Sequence, residues 1–226
     1  MIYKIIPFLL IGLFAFTTNL SSNPTPKTSR VVETTVVEGV ESSYKSLKTN
    51  NFELPQLESF SNALEGFYKL KEKGLIQKDL LTLVDFSLSS AVKRLWVIDV
   101  KNNIILFQSL VAHGKNSGNE FANQFSNKSE SHKSSLGFYT TGETYFGKHG
   151  FSLRLDGLET GINNNARNRA IVIHGADYVS ESFIQQNGRL GRSFGCPSVP
   201  IENTQQIINI IKDKSCFFVY YPSKKN

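Results

Sequence analysis

From Leu54 onward apolar residues recur at three- and four-residue steps, through Leu57, Phe60, Leu64, Phe67 and Leu70, with Glu58, Glu65, Lys69 and Lys71 between them. This spacing gathers the apolar side chains on one helical face and predicts an amphipathic helix that ends near Gly74. The period then shortens toward two, and β-rich runs at 81–86, 94–100 and 104–111 predict strands. Lys101-Asn102-Asn103 joins the last two as a hairpin. Stretches rich in Gly, Ser and Asn at 114–135 and 142–150 read as loops between short strands at 138–141, 151–155 and 170–174. Pro200 opens a second helix over 201–212, whose apolar face is Ile201, Ile207, Ile208 and Ile211, and 216–221 reads as a final buried strand. There is no internal repeat and no heptad. The expected fold is mainly β, a curved sandwich or barrel-like sheet with a helical preface and one late helix.

The N-terminus has a different character. A short lead ending in Lys4 precedes an apolar run at 5–16 broken only by Pro7 and Gly12, and small polar residues follow it. The run is shorter than the ~20 residues that span a bilayer, so residues 1–20 are expected to be a signal peptide, with a membrane tether the outcome if they are not cleaved. Residues 21–53, rich in Ser, Thr and Asn with Pro24 and Pro26, read as a polar linker. The expected division is therefore 1–20 signal peptide, 21–53 linker, 54–76 helical preface and 77–226 main domain, in an exported protein of the periplasm or cell envelope.

Composition places a core within reach: the chain has 226 residues, 40% hydrophobic and 19% charged. The formal charge of +6 suits a polyanionic neighbour such as a cell wall, but the basic residues are scattered and no nucleic-acid arm stands out, so nucleic acid is set aside. The four histidines (113, 132, 149 and 174) include no metal-ligand pair at the usual spacing, and no metal or other cofactor is expected. The two cysteines, Cys196 and Cys216, would face an oxidising compartment after export, where a single bridge is the default.

The chemistry concentrates in two segments. Ala170-Ile171-Val172-Ile173-His174-Gly175 is an apolar strand that delivers an imidazole at a sheet edge. Gly191-Arg192-Ser193-Phe194-Gly195-Cys196-Pro197 sets a thiol in a glycine-flanked turn, where backbone N–H groups can face a developing oxyanion. A thiolate attacking a carbonyl needs a base or cation, oxyanion donors and access, and these segments together offer all three.

Their order and local sequence resemble the catalytic signature of the L,D-transpeptidases of the YkuD-like fold, in which an Ile-His-Gly segment precedes a Ser-x-Gly-Cys turn. Trp96-Val97-Ile98-Asp99, the run Val111 to Gly118, Phe125-Ser126-Asn127, Ser134-Ser135-Leu136-Gly137, Gly147-Lys148-His149-Gly150, Leu155-Asp156-Gly157-Leu158-Glu159 and the run Arg169 to Tyr178 are similar to the murein branch of that family. Two departures stand out: Phe194 replaces a second histidine, and Pro197-Ser198 replaces an aliphatic-Arg continuation. The resemblance implies acyl transfer on peptidoglycan stem peptides through a thioester on Cys196, with His174 as base, the N–H groups around Gly195 and Cys196 as oxyanion donors, and D-alanine leaving. It also implies that Ser193 orients His174 or substrate, and that Gly175, Arg192 and His113 belong to the substrate site. Cys216 becomes a reduced core residue, since a bridge would consume the nucleophile. Two other functions remain open: an L,D-carboxypeptidase using the same site, and an inert wall-binding module in which Cys196 and Cys216 are bridged.

Overall fold

The computed structural model describes residues 39–222, so the expected signal peptide and the first part of the expected linker lie outside the described residues. Short helix α1 covers residues 39–45 and α2 covers Leu57–Glu72. Strands β1 (Leu80–Asp85), β2 (Leu95–Asp99), β3 (Ile104–Ser109), β4 (Gly137–Gly147), β5 (Gly150–Gly157) and β6 (Val172–Gly175) follow. Helix α3 (Glu181–Asn187), strand β7 (Ser198–Val199), helix α4 (Ile201–Ile211) and strand β8 (Cys216–Tyr220) complete the order.

All eight strands form one sheet in the order β3-β2-β1-β8-β4-β5-β6-β7. The pairs β1/β8 and β6/β7 are parallel and the rest antiparallel. The sheet curls until its edges meet, because Ala112, just past β3, donates its N–H to the carbonyl of Ser198 in β7 at 2.9 Å. The mainly β, barrel-like architecture expected from the strand pattern is therefore present, nearly closed.

Period-two alternation divides the core. On β8, Phe217 and Val219 point to the inner side with Val84, Val97, Leu153, Ile173 and the α4 residues Ile207, Ile208 and Ile211. Cys216, Phe218 and Tyr220 point to the outer side with Leu81, Leu83, Trp96 and Ile98, where Phe60, Ala63, Leu64 and Phe67 of α2 cover them. A strand covered on both faces has no polar side, which is why Cys216–Tyr220 is a continuous apolar run buried at every position.

Two expectations change. Residues 39–53 are packed rather than a free linker: Val40 and Leu47 enter the outer core, and Lys48 pairs with the β3 edge, donating to Asn103 O and accepting from Ile105 N–H, both at 2.9 Å. The indole of Trp96 also donates to Glu53 O at 2.8 Å. This polar sequence is held by backbone groups covering an edge strand, a role that leaves no apolar signature. Residues 142–150 are not a loop either. They extend β4 and begin β5, with a register shift between Thr141 and Thr144, and Gly147 pairs with Gly150 across a two-residue turn whose tip is Lys148-His149.

Because Phe67 is 1% exposed at the centre of the α2–sheet contact, Phe67→Ala is expected to lower unfolding stability by about 3–5 kcal/mol. Urea denaturation followed by the fluorescence of Trp96, the single tryptophan, measures it.

Candidate active site

The cysteine turn is held from below by groups distant in sequence. Ser193 N–H donates to His113 O at 3.0 Å, Lys115 N–H donates to Ser193 O at 2.8 Å, and Gly191 N–H donates to Tyr178 O at 2.9 Å. Inside the turn, Ser193 Oγ donates to Cys196 O at 2.6 Å and accepts from Gly195 N–H at 3.0 Å. Gly195 has φ 127°, a conformation that other residues rarely adopt, and a Cβ there would lie 2.9 Å from Lys133 O. Arg169 braces the other side, donating to Ser126 O at 2.7 Å, Ser135 Oγ at 2.5 Å and Lys133 O at 2.6 Å. That guanidinium fixes the chain under the turn while its positive charge faces Cys196.

A second cation lies deeper. Arg94 is fully buried, donating to Leu88 O at 2.7 Å and to Val111 O at 3.0 Å, with its Nη2 2.8 Å from His113 Nδ1. Burial lowers its pKa to about 9 against the opposing charge of Asp85. The guanidinium only donates, so His113 Nδ1 accepts and the ring is neutral. Burial, then the charge of Arg94, brings the His113 pKa down to about 4.

His174, at the end of β6, is buried, and its Nδ1 lies 2.9 Å from Gly175 O. A carbonyl can only accept, so Nδ1 carries the proton and Nε2 presents its lone pair. Ser198 Oγ lies 3.0 Å from that Nε2, and Tyr178 OH lies 3.1 Å from Ser198 Oγ. From the β4–β5 tip, the His149 ring stacks on His174 with centroids 4.3 Å apart. Burial lowers the His174 pKa, the Gly175 carbonyl partly offsets this, and the charges of His149 and Lys148 add to the lowering.

Cys196 is free and partly exposed. Its Sγ receives Val172 N–H at 3.5 Å and lies 3.7 Å from Ala170 O. Burial raises the thiol pKa, opposed by the Val172 N–H and by the charges of Arg169 and Lys148. Among the described residues, Cys196 Sγ makes no hydrogen bond to His174, and the Cys196 N–H has no acceptor. Cys216 is also free, and its side chain belongs to the outer core whereas Cys196 packs against the inner one.

Beside His149 and Gly175 an open groove of about 620 Å³ runs between the β4–β5 tip, the segment after β6 and the start of α4. Lys148, His149, Asp177, Tyr178, Ile201 and Gln205 are among its walls. On the cysteine turn, Phe194 is 64% exposed, covered by His132 at 4.7 Å between centroids and by the Lys115 ammonium at 4.4 Å. No group of three or more His, Cys, Asp or Glu among the described residues can hold a metal ion.

The structure thus gathers His174, Gly175, Ser193, Gly195 and Cys196 in one region, with different bonding from that expected. Ser193 bonds within its own turn rather than to His174, and the N–H of Gly195 is taken by Ser193, which leaves the Cys196 N–H as the available donor. His113, expected in the substrate site, is fully buried with its ring turned to Arg94, and its carbonyl holds the turn. Arg192 donates to Gly118 O at 3.1 Å and Lys115 O at 3.4 Å, tying two loops together. Ser198, Tyr178, His149 and Arg169 were not singled out for roles by the sequence. Ser198 had one visible signal, its place two residues after Cys196 in an extended segment; Tyr178 had none, because its contact crosses between chain segments.

Comparison with known proteins gives a family. A family model described as L,D-transpeptidase catalytic domain matches residues 53–220. No curated protein matches the chain. Solved structures with a similar fold include an L,D-transpeptidase from Mycobacterium smegmatis, 13% identical with a TM-score of 0.39, covering 63% of this chain and 59% of its own. The helical cell shape determining protein Pgp2 from Campylobacter jejuni is 15% identical, with a TM-score of 0.41 and coverage of 67% and 54%. Bd1075 of Bdellovibrio bacteriovorus is 17% identical, with a TM-score of 0.39 and coverage of 65% and 51%. The chain spans less than two thirds of each of these structures.

Two outcomes are expected from the supports of the turn. His113 binds its proton in the unfolded chain near pH 6.5 and in the folded one only near pH 4, so stability falls as pH drops between those values, by about 3 kcal/mol from this group. Denaturant midpoints at a series of pH values measure it, and His113→Gln should flatten the slope. Arg169→Gln removes a cation facing Cys196 and should move the pH midpoint of Cys196 alkylation upward; a midpoint that falls would mean the loosened turn admits water instead.

Proposed function

The chain belongs to the L,D-transpeptidase catalytic-domain family, and from that premise we propose that it is an exported cysteine acyltransferase acting on peptidoglycan stem peptides. One observation carries the reading. A free, partly exposed thiol sits on a rigid turn with its own N–H unengaged among the described residues, in the same small region as a histidine whose tautomer leaves Nε2 as a base.

The reaction follows from those groups. Once Ser198 Oγ releases its hydrogen bond to Nε2 of His174, rotation of the Cys196 side chain away from Ala170 O lets the thiol pass its proton to that nitrogen. Sγ attacks the carbonyl that joins an L-centre to a terminal D-alanine, and the Cys196 N–H meets the developing oxyanion, a contact typically worth a few kcal/mol. Collapse breaks the C–N bond, His174 returns the proton to the leaving amine, and a thioester remains on Cys196. An incoming stem-peptide amine then attacks the thioester, giving up its proton to His174, and the thiol is restored. Burial favours the neutral forms of both the thiol and the imidazole. Without residues 1–20, which carry only Lys4, 24 basic against 19 acidic residues leave a net charge of +5, and it favours residence on an anionic wall, where acceptor amines are concentrated. The apolar run at 5–16 supports export. The separation of Cys196 and Cys216 onto different faces of the sheet argues against the bridged, inert module.

Incubating the purified protein with tetrapeptide-rich peptidoglycan and separating the muropeptides is expected to yield cross-linked dimers with release of D-alanine. Cys196→Ala, folded by circular dichroism, should lose at least about three orders of magnitude of turnover. Tripeptides alone across a range of acceptor concentrations would replace transfer by hydrolysis, and unchanged turnover in a folded Cys196→Ala protein would remove the mechanism.

A further inference from the structure

The hydrogen bonds beside His174 have a forced direction. Gly175 O fixes the proton on Nδ1, so Nε2 must accept, Ser198 Oγ must donate to it, and Tyr178 OH must then donate to Ser198 Oγ. Ser198 is fully buried and reaches only these two partners, whereas Tyr178 is partly exposed and forms part of the groove wall. At rest the phenol oxygen of Tyr178 therefore has lone pairs but no proton left to offer a second partner.

We propose that Tyr178 and Ser198 form a reversible hydroxyl relay that couples an acceptor oxygen bound in the groove to the proton on Nε2 of His174. The inference rests on the acyltransfer reading and deepens it. When the thiol proton reaches Nε2, the S–H bond breaks and an N–H bond forms; Nε2–H now donates, so Ser198 O–H must rotate toward Tyr178 and Tyr178 O–H toward the groove. No proton leaves the relay, and each hydroxyl only turns. The reversed direction leaves one donor needing an acceptor in the groove, and a substrate carboxylate or carbonyl oxygen supplies it. Binding such a group thus favours the protonated imidazole and the thiolate, while an empty groove favours the neutral pair. Ser198 is then a positioning residue that acts through His174, and Tyr178 is the part of the relay that meets substrate.

Other charged or titratable groups face this cluster. His149 stacks on the ring and Lys148 lies at the same hairpin tip, both opposing a charge on His174; Cys196, on the cysteine turn, and Asp177 act on Tyr178. A carboxylate ligand would also act on His174 directly by its charge, so the test separates that effect from the relay. The His174 ring resonances are followed against pH by NMR with and without saturating N-acetyl-D-alanine, in wild type, Tyr178→Phe and Ser198→Ala. The ligand is expected to raise the His174 midpoint by about one unit in wild type and by less than half of that in both variants. Ser198→Ala keeps the Tyr178 hydroxyl for binding, so it reports on the relay even if Tyr178→Phe binds the ligand poorly. Shifts of equal size in all three proteins, or none in wild type, would overturn the relay. Carbapenem acylation of wild-type Cys196, read by intact mass, tests the acyltransfer reading separately.

Discussion

Two backbone pairings between β6 and β7, His174 with Ser198 and Gly175 with Val199, join the histidine strand to the segment that leaves the cysteine turn. Such a short ladder would not persist alone. It is held because β6 lies against β5, α4 packs its apolar face beneath, and the carbonyl of Ser198 receives Ala112 from the far edge of the sheet. The segment that closes the barrel against Ala112 is therefore also the one that joins the base to the nucleophile's turn.

Around this seam the protein buries charge where an apolar packing would serve stability better. Arg94 and Arg169 are removed from much of their solvent but donate to carbonyls and hydroxyls arranged to receive them, which makes their burial tolerable. Each fixes a loop that has no secondary structure of its own. Arg94 sets the His113 ring, and the His113 carbonyl sets Ser193; Arg169 sets the chain from Ser126 to Ser135, against which Gly195 is placed. The cysteine turn is thereby held by hydrogen bonds from both sides.

Much of the scaffold was legible in the sequence, because a helix face and a doubly buried strand impose periods that survive in residue order. Helix α2, strands β1 to β3, helix α4 and strand β8 all fall within a few residues of their expected places. The hairpin tip was missed since Gly142, Gly147 and Gly150 resemble loop punctuation, although two of them close a tight turn. Residues 39–53 were missed because they act through backbone groups, which any polar sequence provides. At the site, Cys196 and His174 stood out by their surroundings, but the partners of each hydrogen bond did not. Ser193 was expected to orient His174 or substrate and closes its own turn; Ser198 is the hydroxyl beside His174, a choice made by strand register and invisible to spacing alone.

The central claim is that Cys196 carries the acyl group. Intact-mass measurement of the reduced protein, quenched in acid during reaction with a stem tetrapeptide, addresses it most directly. The account predicts a mass increase equal to the tripeptide acyl group, located on Cys196, labile to hydroxylamine and accompanied by free D-alanine. Turnover with Cys196 unmodified at every time point, or an adduct on another residue, would contradict it.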